Sequence, residues 1–386
     1  MDKLIKERIG TFKDTVKAKN KNRILNIGNI WAWSVWDNGY KLNTIARDYD
    51  LRIKSMSEFQ ERYNFDFYVD MWTRNPIRIS DALGGGTFTL VDDPFAVYLE
   101  DRDYLKAPED YDLMMKDYEK FLWTKLIPRK LPNLLKGNSV EMLKEAGREI
   151  DKYFEFNEKL YQHMLKNYSV MDLFSGRTEF FAVFMENLYI DTRGMKGVSI
   201  DMRRHHDKLK EVCDHFGVYG LNTASKEMGS DPNKPADYTI CGIAQAFMSK
   251  TQFQDFYYPY LKQIFDYAEK YDKIIFCFME GKNEMFYEYL QEAPKGHILY
   301  YFENDDIFKA KKVFKDNVAL AGGMPSEMLY RGSVQQCEDY AKKLIDEIGY
   351  DGAYFFGVDK MMSYPMDGKR ENLLAVNKVV EEYGKY

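Results

Sequence analysis

Histidine is scarce in this chain. Five of 386 residues, His163, His205, His206, His215 and His297, leave little material for histidine-based metal binding or acid–base chemistry. Cysteine is scarcer still. Cys213, Cys241, Cys277 and Cys337 are scattered with no CxxC pair, which excludes a zinc-finger pattern or a disulfide framework and implies reduced, mostly buried thiols. No stretch approaches the ~20 apolar residues of a membrane-spanning helix. The opening MDKLIKERIGTFKDTVKAKNKNR is charged throughout and lacks a signal-peptide core. A cytoplasmic chain with no membrane partner is expected. An excess of positive charge is also missing: 55 Lys and Arg stand against 61 Asp and Glu, a net −6, which argues against a nucleic-acid partner. GxGxxG and P-loop patterns are absent, and Gly84–Gly86 has no P-loop lysine after it, so phosphate is not expected there. No repeat, low-complexity tract or Pro/Ser-rich linker interrupts the chain, which favours one domain over 1–386.

What the chain does have is apolar and aromatic. Hydrophobic residues make up 45% and aromatic residues 16%, including 30 Tyr and 26 Phe, enough for a large core and a pocket for a flat or apolar ligand. Residues 1–23 read as a helical, mobile entry segment. The irregular stretch after Ile24 holds Trp31, Trp33 and Trp36, which suit a loop near a binding surface. Residues 41–64 read as a helix, 65–72 as a strand, and 75–104 as a turn and hairpin. Helical spacing dominates 109–126, 139–168 and 201–216. Beyond that, apolar strands at 238–241, 273–279, 297–302, 317–321 and 353–356 alternate with helices beginning near 252, 283, 305, 333 and 371. This alternation predicts an α/β fold with a parallel sheet, closed as an (α/β)8 TIM-type barrel, with helical decoration at the N-terminus (1–60) packed on it.

In such a barrel the active site lies at the C-terminal strand ends. Glu280, in Phe276-Cys277-Phe278-Met279-Glu280-Gly281, follows an apolar strand and precedes a helix, so it is either a reactive carboxylate or an ordinary helix cap. Asp359, after the strand at 353–356, has the same two readings. The pair Gly322-Gly323 directly after a strand reads as a tight turn.

The second half of the chain resembles the uroporphyrinogen-decarboxylase-like superfamily. The resemblance rests on IDTRGMKGVSIDMRRHHDKLKEV (190–212), SKTQFQDFYYPYLKQIF (249–265), EGKN (280–283), ENDDIFKAKKVFKDNVALAGGMPSEMLYRGS (303–333) and PMDGKRENLLAVNKVVEEYGKY (365–386), which stand in family order. It spans roughly 60–386 and implies an (α/β)8 barrel. True decarboxylases of the family carry an arginine-rich N-terminal segment that grips substrate carboxylates. The corresponding NIWAWSVWDNGYK (29–41) has no arginine, so a polyanionic substrate would lack its clamp. Zinc methyltransferases of the family carry an HxCG motif at the strand end. Here Phe278 and Glu280 stand in place of the His and Cys, and the later cysteine is missing near Asp359. Zinc is therefore expected only without the family's His/Cys ligands.

The resemblance implies a corrinoid-dependent methyltransferase of the O-demethylase type. It would move a methyl group from a methoxylated or methylated small molecule to a corrinoid (cobalamin). No corrinoid-binding DxHxxG segment occurs, so the corrinoid would be carried by a separate partner protein, and a homodimer is left open. The alternatives are a decarboxylase or lyase acting on a less anionic substrate, and a non-catalytic barrel that binds a corrinoid protein. The expected pocket is lined by Trp31, Trp33, Trp36, Arg78, Tyr257, Met279 and Met324. Glu280 and Asp359 are its catalytic candidates, with a metal-free acid role for Glu280 preferred to metal ligation.

Overall fold

A computed structural model describes residues 3–70, 76–86, 88–99, 103–174 and 179–386. Its strands are β1 (Leu25–Asn29), β2 (Phe67–Val69), β3 (Phe88–Asp92), β4 (Phe95–Leu99), β5 (Met171–Asp172), β6 (Glu179–Val183), β7 (Val218–Tyr219), β8 (Tyr238–Gly242), β9 (Ile275–Met279), β10 (Ile298–Phe302), β11 (Ala319–Met324) and β12 (Tyr354–Val358). Ten of them form one sheet in the order β5-β2-β1-β12-β11-β10-β9-β8-β6-β7. Every pairing from β5 round to β6 is parallel; β7 adds antiparallel to β6. The two ends of the parallel order, β5 and β6, are consecutive in the chain. Thr239 on β8 donates its hydroxyl to the Leu173 carbonyl just after β5 at 2.9 Å, which ties one end of the order to the other. Taking β5 and β6 as one position leaves eight around the ring, the (α/β)8 arrangement, although no backbone ladder joins β5 to β6 among the described residues. The β3–β4 hairpin stands apart as a two-stranded sheet.

Strand alternation sorts the core into two layers. Ile27, Phe67, Phe276, Phe278, Leu299, Tyr301, Ala321 and Phe355 belong to one buried cluster, the barrel interior. Their neighbours Cys277, Met279, Tyr300, Phe302, Leu320, Met324, Tyr354 and Phe356 belong to another, packed under the surrounding helices. The helix Lys3–Val16 joins the interior cluster: Ile5, Ile9, Phe12 and Val16 are buried in it. The Phe12 ring lies 5.2 Å from that of Phe67 and 4.7 Å from that of Phe355. Residues 3–16 therefore plug the barrel at the strand N-termini and are not a loose entry segment.

Two further expectations need correction. The N-terminal 60 residues are not decoration alone, because β1 lies between β12 and β2 in the ring. Gly322 and Gly323 are not a turn after a strand but part of β11, with φ of +96° and +97°. A Cβ at Gly322 would come within 2.8 Å of the Tyr301 ring and 3.1 Å of the Val358 carbonyl, so close packing and backbone conformation both require glycine. No helix among the described residues is long and apolar enough to cross a membrane.

Truncating the plug tests its contribution. Phe12 is fully buried, and Phe12→Ala is expected to lower unfolding free energy by about 3–5 kcal/mol, read from denaturant unfolding followed by circular dichroism.

Candidate active site

The cavity that matters chemically opens where β6, β8, β9 and β12 run into their following segments. It holds about 550 Å³ and is walled by Trp31, Phe180, Ala182, Cys241, Ile243 and Met361, with Phe88, Val97 and Leu99 of the β3–β4 hairpin across it. Clefts of similar size, about 560 Å³, lie among residues that precede strands: one beside Lys311, Tyr350 and Asp351, another beside Arg8, Arg23 and Asp66. They are lined by ion pairs that hold loops together, such as Lys311–Asp351 at 2.7 Å and Arg23–Asp66 at 2.6 Å. Barrel chemistry resides at the opposite face, so the apolar cavity is the candidate although it is not the largest.

Glu280 lines it. Alternation explains why: Phe276 and Phe278 point inward, and Glu280 continues their row one step beyond β9. Its amide donates to the Gly242 carbonyl at 2.8 Å, which fixes the backbone. Among the described residues its carboxylate accepts no hydrogen bond. The helix-cap alternative fails at this position, since the next turn is tied instead by Asp305, which accepts from the Asn283 amide at 2.7 Å. Burial, helped by the neighbouring Glu303 and Glu186 charges, pushes Glu280 up to about 8.

Glu186, which the sequence reading missed, also lines the cavity. Its carboxylate is buried and accepts from the amides of Ile243 at 3.0 Å and Ala244 at 3.1 Å, and from the Tyr257 hydroxyl at 2.9 Å. Burial outweighs these three donors and pushes it up to about 7. Its signal was present in the sequence: apolar Phe180–Val183 followed by a carboxylate repeats the pattern that identified Glu280, but that strand was not recognised. Asp191 completes the acidic lining, with Lys130 3.6 Å away. No lysine or arginine is among the described lining residues.

The other expected residues are dispersed. Trp31 reaches the cavity, its ring 6.2 Å from Phe88. Trp33 is buried against Trp36, Phe59 and Tyr63, and Trp36 is on the surface; in a helix such as Trp33–Asp37 only one side can face a given wall. Arg78 is bound to Glu149 at 2.9 Å and lies over the Tyr49 ring, joining two helices. Met279 and Met324 fall on the outward parity of their strands and pack beneath helices. Tyr257 is not in the wall but behind it, supporting Glu186. Asp359 accepts from the Ser326 amide at 3.0 Å, at the start of the helix Ser326–Arg331 that follows β11, not the segment after its own strand. Among the described residues no three His, Cys, Asp or Glu side chains converge as metal ligands, so these residues do not fit a zinc site.

The raised carboxyl at 280 has a consequence for stability. Between its ordinary 4.5 and about 8, the folded chain holds a proton that the unfolded chain has released, so stability falls as pH rises through that window. Glu280→Gln removes this loss. Its melting temperature is expected to exceed that of the unsubstituted chain by a margin that widens from pH 5 to pH 8; a constant margin, or a narrowing one, counts against a buried protonated Glu280.

Residues 192–383 match the model of the family described as uroporphyrinogen decarboxylase (URO-D). No curated protein matches the chain. Among solved structures, a methyltransferase from Methanosarcina mazei is similar, with a TM-score of 0.60 at 12% identity and 98% of each chain covered, a likeness of fold. The matched segment begins just after Glu186 and carries β8 to β12, Glu280 and Asp359. Through it, the second half of the chain is similar to the uroporphyrinogen decarboxylase (URO-D) family.

Proposed function

We propose that the chain is a methyltransferase that takes a methyl group from a methoxylated or methylated small molecule. The observation that carries this reading is the cavity itself: apolar and aromatic walls, no described basic residue, and a Glu280 carboxyl that burial pushes up to about 8 and that accepts no hydrogen bond among the described residues. Such a site suits a flat donor that carries little negative charge near the reacting atoms. The resemblance to the methyl-transferring branch of the family and the fold shared with a protein named as a methyltransferase support the same reading.

The acceptor is a corrinoid on a separate protein, whose reduced cobalt supplies the nucleophile. This chain handles the other end of the donor. As the bond between methyl carbon and oxygen breaks, Glu280 gives its proton to the oxygen, the donor leaves as a hydroxyl compound, and Glu280 remains as a carboxylate to be reprotonated from solvent. Glu186 beside it makes that anion unfavourable, which favours return of the proton. Tyr257 and the amides of Ile243 and Ala244 hold Glu186 in place. Trp31 and the hairpin residue Phe88 present ring surfaces on which an aromatic donor can rest.

The test is incubation with methoxylated aromatics and reduced cobalamin, followed by absorbance. Methylcobalamin should form, and its rate should decline as pH rises past about 8, where Glu280 loses its proton. Glu280→Gln should reduce the rate by about 10²–10⁴-fold. Full activity in that variant removes Glu280 from the mechanism. Release of CO2 from a carboxylated substrate in place of methyl transfer would instead make the chain a decarboxylase.

A further inference from the structure

The helix Ser139–Tyr168 is the longest in the structure, and it buries only one side. Ala146, Glu149, Phe156, Leu160 and Met164 face the rest of the molecule. Roughly a third of a turn away runs a second apolar stripe that stays open to solvent among the described residues: Val140 is 64% exposed, Leu143 47%, Ile150 39% and Phe154 65%. With Gly147 these residues are spaced three, four, three and four apart, the alternating interval of a coiled-coil seam rather than of scattered surface apolar residues.

Gly147 is the second observation. A glycine in an exposed helix interior is disfavoured against alanine, so it needs a reason to be there. Among the described residues it has none: a Cβ built on Gly147 meets nothing within 4 Å. A helix crossing closely over residue 147 would supply one, because glycine lets two backbones approach.

The stripe is also complementary to itself. Turned about a two-fold axis at Gly147, Val140 (seven residues before) meets Phe154 (seven after), and Leu143 meets Ile150. On the flank, Lys144 comes beside Asp151 of the other helix. A parallel arrangement would carry the two groups to opposite sides of the seam, where this pair cannot form. Lys144 already touches Glu141 at 2.9 Å, but both groups are well exposed and such a pair yields readily to a partner charge. Leu135, 66% exposed just before the helix, lengthens the apolar ground.

We propose that two copies of this chain pair through an antiparallel seam of the helices 139–168, centred on Gly147. The pairing stands independently of the reaction assigned above, since the stripe includes no residue of the cavity.

Sedimentation velocity of the full chain over a range of micromolar concentrations should show a dimer. Leu143→Glu with Phe154→Glu places charge on exposed positions, so the fold should survive, checked by circular dichroism, while the chain becomes monomeric. Ile150→Cys should join to its own copy through a hexane-spaced bis-maleimide, whereas the unsubstituted chain, whose four cysteines are buried, should not. A chain that is monomeric throughout, a dimer that persists in the double variant, or a dimer that fails to cross-link at 150 each overturns the seam.

Discussion

Parallel barrel strands impose a strict parity: each side chain faces either the enclosed interior or the surrounding helices, and no position serves both. In this chain the interior row is aromatic and aliphatic, with Phe67, Phe276, Phe278, Tyr301 and Phe355 filling the ring from strand to strand. Among the described residues this filled interior leaves open volume on the axis only above the last interior layer. Cys241 and Phe180 form the floor of that volume, and the first inward positions beyond the strands, Glu280 among them, become its walls. The site therefore depends on the packing beneath it, and a shift of one residue in the register of β9 would turn Glu280 into the helices and bring Met279 to the cavity.

The same enclosure sets the electrostatics. Two carboxyls facing apolar walls keep their protons far above the ordinary range, Glu280 more strongly than Glu186 because it lacks the three donors that Glu186 receives. Two acids of the same type are thereby separated in role. One is held by Tyr257 and backbone amides as a fixed element of the wall, and the other faces the cavity with its proton available. A lysine or arginine in the described lining would have lowered both, and none is there.

The second half of the barrel was legible from sequence. β8 to β12 are apolar runs, four of them closed by glycine or an acidic residue and β11 by Pro325, and the helices between them include Ser249–Gln252 and Ser333–Gln336 capping boxes that mark their starts. The first half was legible only in part: the strand read at 65–72 holds β2 and the hairpin read in 75–104 holds β3 and β4, but β5 has two residues, too few to show a period. β1 reads Leu-Asn-Ile-Gly-Asn, a poor strand by composition that forms because β12 and β2 flank it on both sides. For the site, position along the strand was read correctly and parity was not, which is why Glu280 was found while Met279 and Met324 were placed on the wrong face. Glu186 was lost with the unrecognised β6. Arg78 and Asp359 were chosen for their charge, and each is held in structural pairings that sequence alone does not reveal.

The plug formed by residues 3–16 has an outcome beyond stability. With Ile5, Ile9, Phe12 and Val16 filling the lower end of the ring, the described residues close that end, and the cavity is reached from the face where the strands end. If a small donor and an acceptor protein use this cavity as proposed above, they cannot approach it from opposite ends: the donor would enter before the acceptor covers the opening, and its remnant would leave after the acceptor. The order of events in such a molecule is dictated by a helix at the far side of the barrel from the chemistry.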